Sequence, residues 1–144
     1  MKNDSNILIL GAGSPHTGKT PSVLWETSSG MVVLNWISKS LGYDLEKIQF
    51  VAGYKANEIR QNFPDLPVII NEKWEEMGSC GSLLSIEIDI NKPLIVCYGD
   101  ILFRSNIIKE LNASTSSISV VWDSCWKDQA LQLSSNDVNR IENI

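Results

Sequence analysis

Residues 13–20, GSPHTGKT, carry the most chemistry per position in this chain: two glycines, a histidine, a lysine and a terminal threonine, directly behind the apolar run ILIL at 7–10. The pattern satisfies GxxxxGK[ST], in which backbone N–H groups cradle phosphate oxygens and the lysine offsets their charge. A second glycine and serine cluster stands at Gly81-Ser82, and a carboxylate, Asp100, follows the apolar run PLIVCY at 93–98 and Gly99. Glycine loops and an acid at the end of an apolar strand suit a phosphorylated ligand with a hard cation. Asp100 carries the added argument that an acid buried there without a partner would cost stability.

These residues need elements to hold them. Residues 6–10 read as a central parallel strand, apolar without alternation. The stretch to about Gly30 contains Pro15, Pro21 and the turn ETSSG, and is expected to be a loop with one short helical turn around 23–25. Val33, Leu34, Ile37 and Leu41 fall at helical spacing within 31–41, with Gly42 as the stop. A strand over 47–52 (KIQFVA), a helix over 56–63 ended by Pro64 and a strand over 67–71 (PVIIN) come next. A polar loop over 72–82 then leads to helical spacing at 83–88. The remaining expected elements are a strand over 93–98, a helix over 104–111 with Ile107, Ile108 and Leu111 inward, and a fifth strand over 117–122 (SISVVW) ending at Asp123. Beyond Trp126 the periodicity fades.

Strand and helix alternate throughout, which predicts an α/β protein. The expected fold is a three-layer α/β/α arrangement around a mostly parallel, Rossmann-like sheet with right-handed crossovers. Ligands bind such sheets beyond the carboxyl ends of the strands. Residues 11–20, the Gly53-Tyr54 turn, the 71–82 stretch and Asp100 all fall at such ends, so one site can collect them.

Length and composition narrow the function. With 144 residues the chain suits a single domain spanning 1–144. It is 43% apolar and 20% charged, ordinary for a globular protein, and no apolar run reaches the roughly 18 residues of a membrane span. Without a secretory signal at MKNDSN, a cytoplasmic setting with no membrane partner is the expectation. The net charge of −5, with no basic cluster, argues against nucleic acid. Cys80, Cys97 and Cys125 are odd in number and widely spaced, which favours reduced, structural thiols. The tryptophans read first as packing residues, with Trp74 the one closest to the expected cleft. Self-association into a homo-oligomer is left open.

Two enzyme readings compete for the loop. A P-loop NTPase would use residues 13–20 as a phosphate cradle, with a helix starting at Gly18-Lys19-Thr20. Pro21 removes one N–H from that first turn and biases Thr20 away from helical geometry. Only a short stretch separates Pro21 from the TSSG turn, leaving little room for the helix.

The second reading rests on a collinear series: strand then GAGS, Pro21-Ser22-Val23-Leu24, the G-x-V-V-L-x-W stretch at 30–36, Val51-Ala52-Gly53-Tyr54 with Ile59, Asn71-Glu72-Lys73-Trp74 leading to Gly81-Ser82-Leu83, and Gly99-Asp100-Ile101-Leu102-Phe103. This series resembles the N-terminal half of the nucleotidyltransferase family, the sugar-phosphate nucleotidyltransferases and their phosphocholine cytidylyltransferase-like relatives. It covers residues 7–126. The resemblance implies that Leu10, Gly11, Ala12, Gly13 and Ser14 wrap a nucleotide, that Gly81 and Ser82 contact its base or ribose, and that Asp100 holds a catalytic Mg²⁺. It implies transfer of a nucleoside monophosphate from an NTP, CTP or UTP being favoured, to a small phosphorylated acceptor such as a sugar phosphate or a phosphocholine-like molecule, with release of pyrophosphate.

The chain departs from that family in its cations. The family loop has an arginine soon after the glycines and a lysine directly after the proline; here Ser22 follows Pro21 and the first arginine is Arg60. Lys19 is the cation available to take a catalytic role, with His16 able to assist when protonated. The family also has a C-terminal half that shapes the acceptor pocket and supplies a second metal-binding aspartate. The expectation is therefore that 1–144 is the N-terminal part of a longer protein. Asp123 is a further candidate ligand, and a non-catalytic nucleotide-binding module is the alternative of another class.

Overall fold

The computed structural model describes residues 4–16 and 18–125. Four parallel strands, β1 (Asn6–Gly11), β2 (Ile48–Ala52), β3 (Val68–Ile70) and β4 (Leu94–Tyr98), form one sheet in the order β3-β2-β1-β4. The helices between and after them are α1 (Val33–Leu41), α2 (Ala56–Asn62), α3 (Trp74–Leu84) and α4 (Ser105–Ala113). The expected three-layer, Rossmann-like α/β fold is the observed one.

Alternation along β1 divides the core in two. Ile7 and Ile9 face α1, α2 and α4, where Leu34, Ile37, Phe50, Ile59 and Ile108 complete the larger cluster. Leu8, Leu10 and Ala12 point the other way, toward Val51 and the partly buried Trp74 and Leu83 of α3. The crossovers β1–α1–β2 and β2–α2–β3 use the first face; β3–α3–β4 returns across the second, carrying the chain from one sheet edge to the other. The strand order therefore reverses beside β1. That is the switch point at which open α/β sheets leave a crevice for ligands.

Local chemistry explains most boundaries. α1 ends where Gly42 enters the left-handed region at φ 75°, a conformation open to glycine at little cost. α2 stops at Asn62, two residues before Pro64. Between β1 and α1 the only helical turn among the described residues is the three-residue 3-10 segment Ser22–Leu24, and residues 25–33 fold back through a bridge between Glu26 and Val32.

Two expectations are corrected. The 72–82 stretch is not a loop, since α3 begins at Trp74 and ends at Leu84, so helical spacing does not continue to Ile88. Glycine and serine lower its helix propensity, but packing of Trp74 and Leu83 on the sheet outweighs that. Gly78, at φ 58° and ψ −160°, kinks the helix. The fifth strand is also absent, residues 117–122 being irregular. A strand needs a paired neighbour and cover for its apolar side, whereas Ile118 is 84% and Val120 67% exposed.

The chain divides into two compact units, Met1–Asn112 and Ala113–Ile144. All four strands lie in the first. In the second, the described residues are irregular after the end of α4, and Asp123 accepts a hydrogen bond from the Cys125 N–H at 2.9 Å. Trp126 and the residues after it lie outside the described residues. Among the described residues no helix is long and apolar enough to cross a membrane.

Cys97 of β4 packs against the larger cluster, and burial pushes its thiol up to about 12. The unfolded thiol titrates near its ordinary value of 9.0. Its neutral form is thus favoured in the fold, and the associated stability, intact below pH 9, is lost as pH rises toward about 12. Denaturant midpoints measured across this window should fall with pH more steeply for the wild type than for Cys97→Ala.

Candidate nucleotide site at the switch point

The chain leaves β1 between two turns that hold it by backbone hydrogen bonds. On the β4 side the Gly99 N–H donates to the Leu10 carbonyl at 2.8 Å; on the β2 side the Tyr54 N–H donates to the Ala12 carbonyl, also at 2.8 Å. Leu10, Gly11 and Ala12 are therefore fixed parts of the sheet end, while Gly13 and Ser14 stand exposed just beyond it. The Gly99 bond brings Asp100 to the same end of β1. Asp100 is exposed, so the cost of burying a lone acid does not arise.

The loop after Asp100 is anchored from α1. Trp36 Nε1 and Ser40 Oγ both donate to the Phe103 carbonyl, each at 2.8 Å. A carboxylate three residues from such an anchor starts with less freedom to lose on meeting a ligand.

Residues 18–20 are irregular and exposed, and no helix starts at them. Pro21 is extended, with φ −50° and ψ 136°, and the next α-helix begins at Val33. The strand–loop–helix context of a P-loop is missing, for the steric reason that Pro21 suggests. What holds the loop is a pair of aromatic donors: Tyr54 Oη donates to the Lys19 carbonyl at 3.1 Å and Trp25 Nε1 to the Thr20 carbonyl at 2.9 Å. Sequence reasoning misses the indole of Trp25 and the hydroxyl of Tyr54 in this role, because no local pattern marks them.

Gly81 and Ser82 lie in α3, on the second face of the sheet, and both are buried. The Ser82 hydroxyl accepts a hydrogen bond from Asn71 Nδ2 at 3.1 Å, and Asn71 Oδ1 in turn accepts one from the Lys73 N–H at 3.0 Å. This buried pair joins the end of β3 to α3. A Cβ at Gly81 would meet Met77 of the same helix, and one at Gly53 would meet the Trp74 side chain, so both glycines permit close packing.

The chain is similar to two sets of curated proteins. It is 26% identical over 109 residues to the bifunctional protein GlmU of Thermotoga petrophila, covering 73% of this chain and 24% of the relative. It is 25% identical over 108 residues to the UTP–glucose-1-phosphate uridylyltransferase AglF of Haloferax volcanii, covering 70% of this chain and 44% of that one. The chain thus spans a quarter to less than half of the length of these relatives. No protein-family profile matches it, and no solved structure does. The similarity supports the nucleotidyltransferase resemblance at the level of the broad family.

The close fit at the β1–β4 crevice makes a prediction. A Cβ on Gly99 would lie 2.7 Å from Cγ1 of the buried Val23 and 3.5 Å from the Gly11 Cα. Gly99→Ala should therefore lower stability by about 1–3 kcal/mol through overpacking. In urea denaturation, Val23→Ala combined with Gly99→Ala should cost less than the sum of the two single changes.

Proposed function

We propose that this chain is the nucleotide-binding part of a Mg²⁺-dependent nucleotidyltransferase. It would transfer a nucleoside monophosphate from an NTP to a small phosphorylated acceptor, a sugar phosphate in the first instance, with release of pyrophosphate. The observation that carries this reading is the meeting, at the sheet's switch point, of the end of β1, from which the glycine loop departs, with the Gly99-Asp100 turn through the Gly99-to-Leu10 bond. The name of the AglF relative favours UTP among the nucleotides and a hexose 1-phosphate among the acceptors.

In this reading the backbone at 11–14 receives the nucleotide and Lys19, exposed in the same loop, counters phosphate charge. Among the described residues no group of three His, Cys, Asp or Glu side chains is placed to hold a metal ion. Asp100 alone suits Mg²⁺ that keeps water and phosphate as its remaining ligands, the usual arrangement for this ion. Bound there, Mg²⁺ supplies neutralisation of phosphate oxygens during transfer. Asp100 fixes the position of that charge, and the Phe103 anchor limits the movement of the turn that carries it. An acceptor phosphate oxygen attacks the α-phosphorus, and the bond to the pyrophosphate oxygen breaks.

The chain's one specific observation for a non-catalytic nucleotide-binding module is the lack of an arginine before Arg60, leaving Lys19 the sole lysine or arginine in the loop. The two readings separate on product. With UTP, Mg²⁺ and glucose 1-phosphate, the full-length protein is expected to release pyrophosphate rather than phosphate, and Asp100→Ala should abolish Mg²⁺-dependent UTP binding while the circular dichroism spectrum stays unchanged. Binding without turnover would select the module, and unaltered binding by Asp100→Ala would remove Asp100 from the site.

A further inference from the structure

We infer that Tyr54 is a positioning residue that latches the Lys19 loop over the crevice, an assignment that rests on the nucleotide-binding reading above. The described residues of loop 12–20 have no regular structure to hold their shape, yet the Lys19 carbonyl is bonded to the Tyr54 hydroxyl 35 residues away in sequence. The Tyr54 backbone is tied to the same loop at Ala12, so one residue grips its beginning and its end.

The ring of Tyr54 is itself held. Trp74 meets it edge-on, with centroids 6.0 Å apart and planes at 68°. The Lys55 ammonium lies 5.8 Å from its centroid and is paired with Glu58 at 3.0 Å. Lys55 has φ 49°, the only positive φ at a non-glycine among the described residues. A left-handed lysine is strained, and it turns the chain so that the Tyr54–Lys55 pair and α2 can come directly after β2. Gly53 completes the arrangement, because a Cβ there would strike Trp74.

The consequence is a division of labour within Lys19. Its main chain is fixed by Tyr54, and its neighbour Thr20 by Trp25, while the exposed residue leaves the ammonium to meet an anionic ligand. An exposed hydrogen bond of this kind adds little to global stability. Its effect should appear in the loop and in ligand affinity.

Tyr54→Phe keeps the ring and its contacts and removes the hydroxyl. In the protein without added nucleotide, backbone order parameters at 18–20 measured by NMR relaxation should fall with the thermal midpoint unchanged; unchanged order parameters overturn the latch. UTP affinity should fall about threefold to tenfold, the range one such bond supplies. In a Lys19→Gln background the same change should cost almost nothing, because Tyr54 acts through Lys19. A loosened loop with full affinity, or a full loss in the Lys19→Gln background, overturns the positioning role. A wild-type protein that fails to bind UTP refutes the nucleotide reading and the positioning role with it, while the relaxation result still decides whether the latch exists.

Discussion

The structure depends on how the chain leaves β1. In a parallel sheet the central strand has neighbours on both sides, and here each neighbour turns directly after its last residue and gives a backbone N–H to the departing chain: Gly99 to Leu10 and Tyr54 to Ala12. Two hydrogen bonds of ordinary strength are individually modest. Their geometry shapes the crevice, since they fix where the sheet stops and where the exposed loop begins. They also bring Asp100 beside the glycines, although nearly ninety positions separate them in sequence. Small residues at 11 and 99 are the condition for this approach, because a Cβ at Gly11 would meet the Phe50 ring and one at Gly99 would meet Val23.

Much of the fold is legible in the sequence because its causes are local. The largely apolar runs at 6–10, 47–52 and 93–98 identify parallel strands, although β4, at the sheet edge, is only partly buried and Val96 is exposed, and Gly42 and Pro64 announce the ends of helices through backbone conformation alone. The failures have a shared physical origin. The segment 117–122 has the composition of a strand, but composition cannot provide a partner. α3 has the composition of a loop, yet Trp74 and Leu83 have a sheet to pack on. In both cases tertiary context outweighs propensity, in opposite directions.

The site shows the same division. Glycines at strand ends and Asp100 announce themselves by type and position, as does the conflict between Lys19-Thr20 and Pro21, which the structure resolves by forming no helix there. The residues that hold the loops are hidden from sequence, because Tyr54, Trp25 and Trp36 act through single donor atoms on distant carbonyls. Such pairings have no sequence period. Ser82 illustrates the reverse, a residue of suitable type whose hydroxyl is engaged by buried Asn71.

A loop with a single lysine is a weak phosphate grip if the lysine is free to wander. Each immobilised long side chain costs about 0.5–1.5 kcal/mol on binding, and further cost falls on any backbone that must be ordered at the same time. In this chain, the carbonyls of Lys19 and Thr20 and the Phe103 carbonyl beyond the Asp100 turn are bonded within the chain itself. Part of the ordering cost of binding would thereby be met during folding. If the loop receives a phosphorylated ligand as proposed, prior order would offset, in part, its sparse positive charge. On the proposed reading, the grip on phosphate would then rest on the scaffold around the lysine as much as on the lysine itself.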